Sequence, residues 1–234
     1  MNRWTDLERN KNFLRSSIAQ GRGRSAMSEL RLKAPLSHCK ELVAVAGRVP
    51  SYTPVQASKI RNLKQLLCRS PYGFSSPISQ LTWSLAQLER LSVEIGDFQD
   101  LQYELEIAVF SGNSLEARRL LGICEQKFGY SGWWIDASVA VLQLLDSQKA
   151  QKEFAKAILR DGRGLPVAIA HLSSYRNESA VSFAGFVPRA EKTVDDWGVI
   201  ESWALYLKHF SCATPIESEH DAALNLSVAE TGSF

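Results

Sequence analysis

Apolar side chains recur along this chain at spacings of three, four and seven, the period of a helix with one buried face. Trp4, Leu7, Leu14 and Ile18 mark a first helix over about 4–20, and Gly21-Arg22-Gly23-Arg24 ends it, since each glycine costs a helix about 1 kcal/mol. A second apolar stretch over 36–45 follows Pro35 and closes at Gly47. Thr53-Pro54 reads as a cap followed by proline at the first helical position, with Ile60, Leu63 and Leu67 as the stripe behind it and Lys59, Arg61 and Lys64 opposite. Over 70–79 the chain turns uncharged, with two prolines and a glycine, and this is the expected linker. The period resumes through Leu81, Leu85, Leu88 and Ile95 until Gly96-Asp97 interrupts it. Near the end, Trp197, Ile200, Trp203, Ala204, Leu207 and Phe210 form a wide apolar helix opened by Asp195 or Asp196. Between them, 177–193 holds Gly185 and Pro188 and reads as irregular, and past Pro215 the chain is an acidic polar tail without a clear terminal element. The expected fold is therefore all-α.

The middle of the chain repeats a plan. An amphipathic segment over 101–111 meets a turn at Gly112-Asn113-Ser114, and a second helix over 115–128 stops at Gly129. Segments 133–145 and 148–160 repeat that order around a turn at Asp146-Ser147. Ala117, Leu121 and Cys124 hold positions i, i+4 and i+7 of one unit, and Ala150, Phe154 and Ala157 hold them in the next, 33 residues on. Together with Trp134 and Ser138 at the aromatic and small positions of the preceding helix, this resembles a tetratricopeptide repeat, a helix-turn-helix of about 34 residues. The 134–157 unit matches the small-large-small pattern, whereas the earlier unit has Leu121 and Cys124 in place of an aromatic and an alanine. The resemblance covers about 65 of the 234 residues. It implies a helical hairpin array, tetratricopeptide-like or an irregular α-solenoid or bundle, in which stacked hairpins bury one core and leave a face for a partner.

Charge changes that picture by dividing the chain. Residues 1–70 carry 14 Lys and Arg against 4 Asp and Glu, a net +10, and residues 71–234 carry 13 against 21, a net −8. The expected organisation is a basic helical region over 1–70, a linker over 71–80, a helical array over 81–214 and an acidic tail over 215–234. An apolar share of 45% with 22% charged residues is that of a folded chain. No window holds the ~18 apolar residues of a membrane span, and Asp6 and Glu8 interrupt any leader-like start, so the expectation is a cytoplasmic chain with no membrane partner. The four cysteines are dispersed without a Cys-x-x-Cys, as befits buried free thiols.

Candidate chemistry adds little. His209 and Cys212 are half of a zinc site on one helix face, but no second pair accompanies them, and His38-Cys39 are adjacent and point apart. No serine lies in a Gly-x-Ser-x-Gly elbow, and His171 follows Ala168-Ile169-Ala170 in an apolar helix, the setting of a packed histidine. Gly21-x-Gly23 and Gly162-x-Gly164 lack the third glycine and lysine of a phosphate loop. No catalytic residue, metal or cofactor is assigned. The expected function is a non-enzymatic scaffold that binds another protein, with Tyr103, Arg118, Arg119, Trp133 and Lys149 as candidate contacts. One alternative is nucleic-acid binding through Arg22, Arg24, Lys59, Arg61 and Lys64, which would neutralise phosphates without reading bases. Another is a helical accessory domain of a larger enzyme or multiprotein system.

Overall fold

The structure is a computed structural model that describes residues 3–47, 62–66, 71–162, 164–177, 181–196, 199–212 and 215–231. Among them are twelve α-helices and no strand, so the all-α reading holds. In chain order they are α1 (Arg3–Ala19), α2 (Gly23–Lys33), α3 (Cys39–Ala46), α4 (Pro77–Arg90), α5 (Ser92–Phe110) and α6 (Ser114–Phe128). Then follow α7 (Gly132–Val141), α8 (Gln148–Asp161), α9 (Leu165–Arg176), α10 (Phe183–Asp196), α11 (Glu201–Cys212) and α12 (Glu219–Thr231). The helix expected behind Thr53-Pro54 lies largely outside the described residues, of which Leu63–Gln65 form a single 3-10 turn.

Six of these helices start on the same device, α10 and α12 among them. Ser76 accepts from the Ser79 amide at 3.1 Å, Asn113 from Glu116 at 3.1 Å, Ser131 from Trp134 at 3.0 Å and Ser147 from Ala150 at 3.1 Å. Each satisfies an amide that the first helical turn leaves without a partner. The turn between α5 and α6 needs Gly112 at φ +70°, a backbone that L side chains adopt at a cost.

The chain divides into two compact units, with divisions inside α5 at Ile95/Gly96 and before α12 at Pro215/Ile216, and residues 62–66 belong to the second unit. In the first unit α2 and α3 pack on α1, α4 packs on α3, and α12 packs on α4. Its core joins Leu14 of α1, Met27 and Leu30 of α2, Leu42 of α3, Trp83 of α4 and Tyr72. Ser227 of α12 donates to the Tyr72 carbonyl at 2.8 Å. The segment past Pro215, which reads as a bare polar tail, thus supplies a helix whose Ala223 and Val228 are buried.

In the second unit α7 packs on α6 and α9, α8 on α9, and α10 and α11 on one another and on α9. The α9 stretch from Leu165 to Ala170 is buried without interruption, the signature of a helix covered on all sides. Ala117, Leu121 and Cys124 of α6 are buried as their spacing predicts, and so are Trp134 and Ser138 of α7. On α8 the buried row is Gln151, Ala155 and Ile158, rotated by one residue from Ala150, Phe154 and Ala157, which are only half-buried. The reason is polar: Gln151 donates to the Ser174 hydroxyl at 2.6 Å and to its carbonyl at 3.2 Å, which turns that face toward α9.

Two further expectations are corrected. α5 runs straight through Gly96, because one glycine's penalty is too small to break a nineteen-residue helix. Segment 177–193 is not irregular throughout, since α10 begins at Phe183 behind Ser182, whose hydroxyl accepts from the Gly185 amide at 3.2 Å, and accommodates Pro188. α11 begins at Glu201 rather than behind Asp195 or Asp196, which close α10; on it Trp203 and Leu207 are buried as expected and Phe210 stays half exposed, while Trp197 lies outside the described residues.

Candidate interaction surface

Helix α5 is apolar on two faces. One holds Leu105 and Ala108, both buried, while the other presents Tyr103, Ile107 and Phe110 at i, i+4 and i+7, exposed to 65%, 51% and 90%. Just past the turn, Leu115 of α6 is 82% exposed. Single exposed apolar residues are ordinary, but a row of large ones along one helix face marks a surface that pairs with something. At 100° per residue, Asp100 and Glu106 lie about 60° to either side of Tyr103, and Glu104 about 100° round. All three are exposed. The helix holds five carboxylates, Glu94, Asp97, Asp100, Glu104 and Glu106, and no Lys or Arg.

The start of α5 is fixed to its unit by aromatic contacts. The Phe98 ring meets Phe128 edge-on at 5.5 Å and Trp133 at 4.8 Å, and Lys127 pairs with Asp97 at 2.8 Å. Trp134 lies behind them, donating its indole N–H to the Leu121 carbonyl at 3.2 Å and meeting Tyr130 and Phe154 at 4.9 and 5.9 Å.

Of the five candidate contacts, Tyr103 lies on the exposed row. Trp133 is half-buried against Phe98, Arg118 pairs with Asp146, and Arg119 pairs with Glu116 at 2.6 Å. That pairing holds the Glu116 carboxyl below, and the Arg119 guanidinium above, the usual range. Lys149 is open, 4.0 Å from Glu153. Sequence reasoning missed Ile107, Phe110 and Leu115, although an apolar residue on both faces of one helix was the available signal. A second exposed row, Ile78, Leu81, Leu85 and Leu88, runs along α4, where the period reads as a buried stripe. The face that α4 buries instead carries Gln80, Trp83 and Ser84.

The basic residues of the first unit are largely engaged within it. Arg24 and Arg31 lie 4.6 and 4.8 Å from the Tyr72 ring centroid, and Arg31, 1% exposed, donates to Gln80 at 2.9 Å. Lys11 pairs with Glu41 at 2.8 Å, Lys33 with Glu29 at 2.9 Å and Lys40 with Glu89 at 2.7 Å. Of the five candidate phosphate contacts, Arg22 is exposed and bonds Gln20, Arg24 is stacked on Tyr72, and Lys64 is exposed. Lys59 and Arg61 lie outside the described residues.

Among the described residues, no group of three or more His, Cys, Asp or Glu converges as a metal site requires, and no helix is long and apolar enough to cross a membrane. Burial pushes the Cys39 and Cys124 thiols up to about 11 and lowers the imidazole of His171, which packs near Tyr175. Compared with protein-family models, curated proteins and solved structures, the chain matches none of them.

Proposed function

We propose that this chain is a non-enzymatic interaction scaffold that binds another protein through the outer surface of its helical array. The observation that carries this reading is the row Tyr103, Ile107 and Phe110 on α5, whose reverse face is already packed. Covering three such side chains yields roughly 1.5 to 3 kcal/mol each when burial is complete, a contribution of the same order as the entropy lost on association. The tetratricopeptide-like hairpins over 97–161 fit the same role, since stacked hairpins present side chains to an extended peptide or a helix.

Phosphate binding through the basic segment has weaker support, because Arg24 and Arg31 are committed to Tyr72 and several lysines to nearby carboxylates. Affinity purification of the full chain, beside Phe110→Ser and Arg22→Glu/Lys64→Glu variants, separates the two. A partner kept by the basic-segment variant and lost by Phe110→Ser is the expected result. Salt-sensitive nucleic-acid retention on a filter, abolished by the basic-segment variant, would replace the scaffold reading with the other.

A further inference from the structure

Resting on the scaffold reading, we propose that the occupant of the α5 face is a cationic amphipathic helix. Three observations converge on it. The exposed row spans i, i+4 and i+7, so it presents knobs along about two helical turns, the footprint of a helix laid alongside rather than of a bound strand. Carboxylates flank the row on both sides, Asp100 on one and Glu106 on the other, with Glu104 beyond Asp100. Among the described residues, none of the three takes part in an ion pair. Asp97 is held by Lys127, Glu106 accepts only from Gln102 at 3.0 Å, and Glu104 feels the charge of Arg119, which is itself bonded to Glu116. An apolar stripe with Asp100 and Glu104 along one margin and Glu106 on the other complements a helix with leucine-like residues on one face and Lys or Arg at its margins. The same rim repels phosphates, and so disfavours nucleic acid and anionic lipid at this face. The α4 row has no comparable charged rim, and nothing about it selects an occupant.

The test uses the full chain and a fluorescein-labelled synthetic helix of leucine and lysine, four turns long with its leucines on one face. Its controls are a leucine/glutamate peptide of the same pattern and a leucine/lysine peptide with the leucines scattered. Anisotropy titration at low ionic strength is expected to give the patterned leucine/lysine helix at least about tenfold tighter binding than either control, with affinity falling as salt rises. Asp100→Asn/Glu104→Gln/Glu106→Gln is expected to lose about tenfold, Phe110→Ser at least as much, and Glu153→Gln on α8 nothing. Equal affinity for the lysine and glutamate helices, still sensitive to Phe110→Ser, would overturn the charge selection while leaving the scaffold reading in place. Failure of every peptide to bind, or binding unchanged in the triple variant, would also overturn the proposal. The scaffold reading itself is judged separately by the affinity purification.

Discussion

Trp134 ties three helices of the second unit together, which makes it the sharpest probe of how that unit is built. Its indole N–H reaches the Leu121 carbonyl of α6 at 3.2 Å, and its ring meets Tyr130 at 4.9 Å and Phe154 of α8 at 5.9 Å. Trp134→Phe keeps an aromatic between Tyr130 and Phe154 but loses the hydrogen bond and part of the ring. The bond contributes about 1 kcal/mol and the residual void about as much again, for a loss of about 2 kcal/mol. Trp134→Ala removes every contact and leaves a cavity among packed helices, at about 3 to 5 kcal/mol. With a urea dependence of about 2 kcal/mol per molar, midpoints followed by circular dichroism at the helical minimum should fall by about 1 M for phenylalanine and about 2 M for alanine. If unfolding shows two phases, only the one belonging to the second unit should move. A shift for alanine no larger than that for phenylalanine, or none in either, would refute the placement of Trp134 between α6 and α8.

Other expectations follow from local geometry. Gly129 ends α6 at φ 84° and ψ −170°, a region open almost only to glycine, so Gly129→Ala should cost about 1 to 3 kcal/mol, read as a lower melting temperature. Val228 is fully buried on α12, so Val228→Asp should destabilise the first unit by at least about 2 kcal/mol, and limited proteolysis should then release the C-terminal segment. Cys39 and Cys124 have thiols raised from 9.0 to about 11, so native labelling by iodoacetamide at pH 8 should be slow and rise steeply in denaturant, as resolved by peptide mass spectrometry. The folded chain holds those protons more tightly than the unfolded one. That contribution is complete below pH 9 and lost as pH climbs to 11, and Cys124→Ala should flatten the decline in melting temperature over that window.

Much of the helical plan was legible because it is written in local signals. Asn113 and Ser147 sit in the turns that the sequence marks and cap α6 and α8, and Ala117, Leu121 and Cys124 face the core that their period marks. What stayed hidden depends on contacts distant in sequence. α12 conceals itself because Asn225 and Ser227 are buried polar residues in its packed face, and the hydroxyl of Ser227 finds its acceptor at Tyr72, 155 residues away. Gln151 rotates α8 by one position for the same kind of reason, through its bonds to Ser174.

The candidate surface was half legible. Tyr103 is among the candidate contacts that the sequence marks, but Ile107 and Phe110 are not, because spacing alone cannot say which of two apolar faces on a helix is covered. Arg24 and Arg31 erred the opposite way. Counted as free cations, they pack on Tyr72, and Arg31 is almost wholly enclosed.

The central claim is that the outward face of α5 is where this protein meets its partner. Photo-crosslinking in cells tests it most directly, with benzoylphenylalanine placed in turn at Tyr103, Ile107 and Phe110, and at Leu159 of α8 as an exposed control. One discrete protein adduct of common mass from the three α5 positions, missing from position 159 and weakened in the Asp100→Asn/Glu104→Gln/Glu106→Gln background, is the expected result. Adducts of equal yield and mixed mass from all four positions, or none from α5, would contradict it.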